Sequence, residues 1–202
     1  MIWQRAACLL AGYLLGCLLT AQWVARLRAG KEAWALGTGN PGAANLAGTL
    51  GLGWGALVLA GDCLKTALAC LLARYLLAPD LGPLALYHAG LGAVLGHNFP
   101  FWHRWRGGKG VAVTCAVQVL AAPVWGSLCC LGGLAVVVLS GFVPLGAVVI
   151  PALFVPVSLW LYGPEAGLMA LLSAIIMFSR HLPGLRRMAA GEEHRAFRSK
   201  RL

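Results

Sequence analysis

Long apolar windows without charge constrain this chain more than any other feature. Residues 6–25 carry no charged side chain, and about 20 such residues suffice for a helix to cross the hydrocarbon core of a bilayer. In lipid the backbone cannot turn to water for hydrogen bonds, so a spanning segment has to be helical or part of a closed barrel. Windows of helical length recur at 50–77 (interrupted by Asp62, Lys65 and Arg74), 84–101, 111–122, 124–139, 143–161 and 166–178. The window at 111–122 is short and ends at Pro123, while Tyr162-Gly163-Pro164 separates the last two. The fold class expected is all-α: a polytopic membrane helix bundle of about seven transmembrane helices, forming a single domain over residues 1–202. Charged residues make up 11% of the chain, against about 25% in an ordinary soluble domain.

Charge placement orients the bundle. Arg26, Arg28 and Lys31 follow the first window and Arg104, Arg106 and Lys109 the third; the tail, 180–202, adds Arg180, Arg186, Arg187, Arg195, Arg198, Lys200 and Arg201. These are thirteen of the sixteen basic residues, and a seven-span arrangement puts them all on one side. The opposite loops hold Asp80 and Glu165. By the positive-inside rule the basic side is cytoplasmic, with the N-terminus outside and the tail inside. The net charge of +10 is then accounted for by topology and contact with anionic headgroups. No nucleic-acid partner is expected, because the basic residues are divided among membrane loops instead of gathered on one face. The first window is too long for a signal-peptide core, and arginines stand where a cleavage site would be. Seven cysteines, Cys8, Cys17, Cys63, Cys70, Cys115, Cys129 and Cys130, all fall in apolar windows without metal-ligand spacing, so they read as reduced, small hydrophobes.

Two glycine-rich polar segments interrupt this apolar text on the basic side. Gly107-Gly108-Lys109-Gly110 makes a poor helix and a good anion cradle, since backbone N–H groups approach an oxyanion closely where no Cβ intervenes and the ammonium adds a full charge. The second is Gly37-Thr38-Gly39-Asn40-Pro41-Gly42-Ala43-Ala44-Asn45. The lysine is followed by Gly110, so there is no Walker A loop, and no Gly-x-Ser-x-Gly elbow or His-x4-Asp base occurs. Asp62 and Lys65 lie one turn apart on a helical face and form an intramembrane ion pair on this reading. His97 closes the third window in Gly96-His97-Asn98-Phe99-Pro100, and Trp102 and Trp105 read as an interfacial aromatic belt. His88 and His103 receive no role.

Taken together, Gly37 to Asn45, Asp62 with Lys65, Gly96-His97 with Pro100, Gly107 to Ala112, and Arg180-His181 with Gly191 and Glu193 resemble the bacterial acyl-phosphate:glycerol-3-phosphate acyltransferases over nearly the whole chain. The resemblance implies a bacterial inner-membrane enzyme that moves a fatty acyl group from acyl phosphate to the 1-hydroxyl of glycerol 3-phosphate, with no cofactor and no metal. It implies that Gly107, Gly108, Lys109 and Gly110 hold phosphate, that Gly37, Thr38, Gly39, Asn40, Gly42 and Asn45 shape the first motif and bind substrate or its phosphate, and that Lys109, His181 and His97 are the catalytic residues. His97 and His181 match family histidines, and Glu193 an acidic residue of the tail. An acyl phosphate is already activated, so orientation and charge stabilisation suffice without a covalent intermediate. The alcohol's proton goes to a substrate phosphate oxygen, to His181 or to His97, and the residues do not choose. Several places depart from the family: Ala44 stands for threonine, Gly48 for arginine, Cys17 for serine, Gly184 for asparagine and Pro144 for serine. Two rival readings follow: a diverged member that is inactive or takes another phosphorylated substrate, and a small transporter of an anionic metabolite. The transporter lacks the internal repeat that such folds carry.

Overall fold

The computed structural model describes residues 1–196, and over them it is helical without a strand. Arg198, Lys200 and Arg201 of the basic tail lie outside the described residues. The chain divides into two compact units, Met1–Val117 and Gln118–Leu202. Among the described residues four helical stretches are long and apolar enough to cross a membrane: Ile2–Ala29, Leu52–Leu77, Pro123–Ser140 and Val143–Ala189.

The first unit contains α1 (Ile2–Gly16), α2 (Thr20–Ala29), α3 (Ala43–Leu50), α4 (Leu52–Leu72), α5 (Leu84–Asn98) and the start of α6 (Val111–Ala121). The first apolar window is not one straight helix. It breaks between Gly16 and Thr20, with Leu19 extended at φ −91°, ψ 97°. A break at membrane depth leaves carbonyls without helical partners, and such groups have to be satisfied by the protein. Here they are: Trp102 Nε1 donates to Cys17 O at 3.2 Å and Lys65 Nζ to Leu18 O at 2.6 Å.

A seam of small residues joins α1 to α5. A Cβ added to Gly12 or Gly16 would strike the carbonyl oxygen of Ala89 or Ala93, and one added to Gly92 or Gly96 would strike that of Leu9 or Tyr13. Helices in lipid associate through this kind of close backbone packing, since burial from water supplies no drive between them. Nearly every residue of α5 is buried, and its 15 residues fall short of the about 20 that a lipid-exposed span needs. Gly92→Leu is expected to cost about 1–3 kcal/mol by overpacking, a fall of roughly 2–12 °C in Tm for a chain this size. Gly53→Ala, where an added Cβ meets nothing within 4 Å, should leave the melting curve unchanged or slightly raised. Equal behaviour of the two variants would refute the seam.

In the second unit, α7 (Pro123–Ser140) and α8 (Val143–Ala189) pack where Gly133 and Gly146 bring their backbones together. The 47-residue α8 contains a non-helical residue, Gly163, at φ 82°, ψ −174°. It lies in the Tyr162-Gly163-Pro164 step that separates two windows in the sequence. The second unit also holds the tail: Ala196 N–H donates to Gly141 O at 2.8 Å, and the Arg195 guanidinium lies over the Phe142 ring at 5.5 Å. None of the seven cysteines forms a disulfide, and Cys8, Cys17, Cys70 and Cys129 are buried.

Candidate active site

The ion pair expected from sequence spacing is present and extends further than the spacing implied. Lys65 Nζ sits 2.8 Å from Asp62 Oδ1, 2.6 Å from Leu18 O and 2.9 Å from His97 Nδ1. Thr20 Oγ1 donates to Asp62 Oδ1 at 3.3 Å. Asp62, Lys65 and His97 are each at most 5% exposed. A buried charge is tolerated only when paired and hydrogen-bonded, and the broken first window supplies the backbone acceptor that completes the set. The cluster therefore ties three elements together at the end of α5.

That end carries the glycine loop. Gly108 N–H donates to His97 O at 3.0 Å. A Cβ on Gly107 would collide with His97 O and with Asn98 C and O, and one on Gly108 with His97 Nε2. Gly110 has φ +82° and would place a Cβ 2.7 Å from Asn98 Oδ1. From the sequence these glycines give an oxyanion access to the backbone. The structure adds a second reason: the loop lies directly on His97-Asn98, and no side chain fits between. Lys109 is half-buried in this loop, which then enters α6. Asn98 is a residue that sequence reasoning missed. Its side chain is fully buried, and neither Oδ1 nor Nδ2 meets a hydrogen-bond partner among the described residues. An orphaned buried amide under a phosphate-type loop is a functional signal, and its place directly after His97 was the clue available in the text.

The first motif is built around Asn45. Its Oδ1 accepts from Thr38 N–H at 2.8 Å, while Nδ2 donates to Leu36 O and Asn40 O, each at 2.9 Å. Both amide hydrogens are thus engaged inside the loop, so Asn45 shapes the motif and has no donor left for a ligand. Gly37 and Gly39 take φ +49° and +72°, conformations glycine adopts without penalty. Gly42 lies close to the Asn40 amide, where an added Cβ would be 2.9 Å from Nδ2. Thr38 is exposed and its hydroxyl accepts from Asn40 N–H at 3.4 Å.

The approaches to the two glycine segments meet. Trp34 packs edge-on against His103 with ring centroids 5.3 Å apart, beside a cleft of about 680 Å³ lined in part by Arg26, Glu32, Arg104 and Arg106. Arg26 is paired with Glu32 at 2.7 Å. Burial, and secondarily the Arg26 charge, pushes His103 below the usual histidine range against the smaller opposing effect of Glu32. Three guanidinium groups against one carboxylate make the cleft attractive to anions. Arg104 and Trp105 adopt φ 51° and 61°, left-handed backbone that side chains seldom take and that clusters at functional sites. Trp102 and Trp105 are exposed, as an interfacial belt requires.

The second unit holds the remaining site residues. His181 is buried, with Nδ1 2.9 Å from Met177 O. The Glu193 carboxylate accepts from Arg187 Nε at 2.7 Å. Gly184 and Pro144 are packed together: a Cβ on Gly184 would lie 2.7 Å from Pro144 Cγ. His97 and the Gly107–Gly110 loop thus form one built assembly in the first unit, with the 37–45 motif joined to it through the cleft.

Comparison with known proteins bears on the same residues. A family model described as glycerol-3-phosphate acyltransferase matches residues 6–191. Glycerol-3-phosphate acyltransferase 1 of Lactobacillus johnsonii is 38% identical over 170 residues, covering 84% of this chain and 81% of the relative. The Agrobacterium fabrum glycerol-3-phosphate acyltransferase is 36% identical over 199 residues, covering 96% and 95%. A crystal structure of PlsY (YgiH), an integral membrane glycerol 3-phosphate acyltransferase in its glycerol 3-phosphate form, superposes with a TM-score of 0.84 at 28% identity, covering 95% of this chain and 94% of that one. The lysophosphatidic acid form of that enzyme gives a TM-score of 0.82 at the same identity.

Proposed function

The chain belongs to the glycerol-3-phosphate acyltransferase family, and from that premise we propose how its residues carry the reaction. It is an integral membrane acyltransferase acting on glycerol 3-phosphate in phospholipid synthesis. The donor is an acyl phosphate: the 1-hydroxyl oxygen of glycerol 3-phosphate attacks the acyl carbon, an ester bond forms, the carbon–oxygen bond to phosphate breaks, and lysophosphatidic acid and phosphate leave. No cofactor enters this scheme. Lys109 and the N–H groups of the Gly107–Gly110 loop stabilise the departing phosphate, which gains charge as the bond breaks. Gly37, Thr38, Gly39, Asn40 and Gly42 offer a second polar surface, held in shape by Asn45. His181 and a phosphate oxygen of the substrate are candidates for the alcohol's proton, as is His97.

The observation that carries this reading is the loop itself: three glycines and a lysine fixed on a buried, charge-paired floor beside an anion-attracting cleft. Purified protein in lipid, given acyl phosphate and glycerol 3-phosphate, is expected to release phosphate in step with lysophosphatidic acid. Acyl transfer with another donor and none with acyl phosphate would overturn the donor assignment. Absence of any transfer would favour a diverged member.

The enzyme works as one multi-pass domain in the bacterial inner membrane. Its N-terminus faces outward, about seven helices span, and the loop at 102–110 and the tail meet the cytoplasm, where soluble phosphorylated substrate is found. The thirteen-residue basic asymmetry supports this orientation. Single cysteines placed at Arg104 and at Asp80, in a background without native cysteines, should be labelled from opposite sides of the membrane. Labelling of both from the same side would reverse the assignment of one loop and remove the argument for an odd span count.

A further inference from the structure

Lys65 has three hydrogens on Nζ and three acceptors around it: Asp62 Oδ1, Leu18 O and His97 Nδ1, at 2.8, 2.6 and 2.9 Å. An ammonium only donates, so His97 meets it with a lone pair on Nδ1, and a neutral imidazole then carries its one proton on Nε2. Protonating Nδ1 would point its hydrogen at a cation. Asp62 Oδ1, the carboxylate oxygen that an imidazolium would need, is 3.7 Å from Nδ1, outside hydrogen-bonding range, and it already accepts from Lys65 and Thr20. Nε2 lies against Gly108 of the phosphate-type loop.

We infer that His97 acts in the reaction as a fixed hydrogen-bond donor on the loop side, through Nε2–H, and not as the base that accepts the alcohol's proton, with Asp62 and Lys65 as positioning residues that hold this tautomer. The inference rests on the reading of the Gly107–Gly110 loop as the phosphate cradle. His181 shows the opposite arrangement. Its Nδ1 faces the Met177 carbonyl at 2.9 Å, and a carbonyl only accepts, so Nδ1 carries the proton and Nε2 the lone pair. The two histidines thus present opposite Nε2 atoms, a donor at His97 and an acceptor at His181.

The test uses the full chain in lipid with nitrogen-15 histidine, the His97 signals being assigned by their disappearance in His97→Gln. Wild type should show a protonated Nε2 and an unprotonated Nδ1 at His97 at neutral pH. A protonated Nδ1 or an imidazolium there would overturn the inference. Removing both charges together, Asp62→Leu with Lys65→Met, avoids leaving one buried charge alone and should release His97 into a tautomer mixture. An unchanged tautomer in that folded double variant would refute the positioning role. Kinetics provide a second arm that needs neither charge variant to fold. The amide nitrogen of Gln falls near Nε2 and that of Asn near Nδ1. His97→Gln should therefore keep phosphate release within about threefold of wild type while His97→Asn loses about tenfold or more, the value of one hydrogen bond in this setting. Asn equal to or better than Gln would sink the donor assignment. Because the tautomer is read without substrate, absence of phosphate release from wild type would count against the proposed reaction and leave the nitrogen signals to decide this inference separately.

Discussion

Lys109→Ala is expected to lower turnover at least tenfold while the protein stays folded. Lys109 sits in a loop, half-buried, and the steric fit of that loop on His97-Asn98 is made by its glycines. The substitution therefore removes a charge and leaves the packing. A charge-assisted contact to phosphate contributes about 1.5–3 kcal/mol, and each 1.36 kcal/mol taken from transition-state stabilisation is about a factor of ten in rate. If Lys109 acts on the phosphate as it departs, kcat and kcat/KM fall together, because the contact strengthens as charge develops. If it only binds the donor in the ground state, KM rises alone. Lys109→Arg keeps the charge in a planar, larger group and should recover part of the loss. Phosphate release at the wild-type rate in Lys109→Ala would remove the loop from the chemistry.

The departures from the family pattern make the second large effect. Gly48, where the resemblance implies an arginine, lies on the exposed side of α3, and a Cβ there meets nothing within 4 Å. Gly48→Arg is thus sterically free, and should raise kcat/KM about tenfold if a phosphate contact worth about 1.5 kcal/mol is regained. Gly48→Ala supplies the same gain in helix propensity without the guanidinium and serves as the control. Gly184 is different. Because its Cβ would press on the Pro144 ring at 2.7 Å, Gly184→Asn alone should be neutral or harmful. Paired with Pro144→Ser it has room, and the pair should add up to another tenfold on the same reasoning. Pro144 lies in the first turn of α8, where proline is well tolerated, so the pair is expected to lose a little stability as it gains activity. Should Arg104, in the cationic cleft, already hold the phosphate, Gly48→Arg will do nothing and Arg104→Ala will be the damaging change.

How far the text of the chain discloses this molecule depends on the range of each interaction. The Asp62–Lys65 pair was legible because both partners lie on one helix, one turn apart. Its continuation to His97 and to Leu18 O was not, since those contacts cross between elements. The turn at Gly163 was written in Tyr162-Gly163-Pro164. The break before Thr20 was hidden, because residues 17–19 are as apolar as their neighbours and hydropathy does not register a change of backbone direction. Gly12, Gly16, Gly92 and Gly96 read merely as small residues inside apolar windows, and their meaning appears only when α1 and α5 are set side by side. Asn45 was placed in the first motif from its position, whereas its commitment to Thr38, Leu36 and Asn40 required coordinates. Likewise the coupling of Gly184 to Pro144 lies across about forty residues of sequence and has no local signature.

The acceptor that completes the buried cation's shell at position 18 belongs to the peptide unit, and every amino acid brings that oxygen with it. Alanine scanning at this position removes the side chain and leaves that oxygen in place. What the contact does depend on is arithmetic: how many residues separate the end of α1 from the start of α2. Selection acting here would leave the letter at 18 free to drift and hold the count fixed, so insertions and deletions, not substitutions, are the changes to which this part of the enzyme is vulnerable.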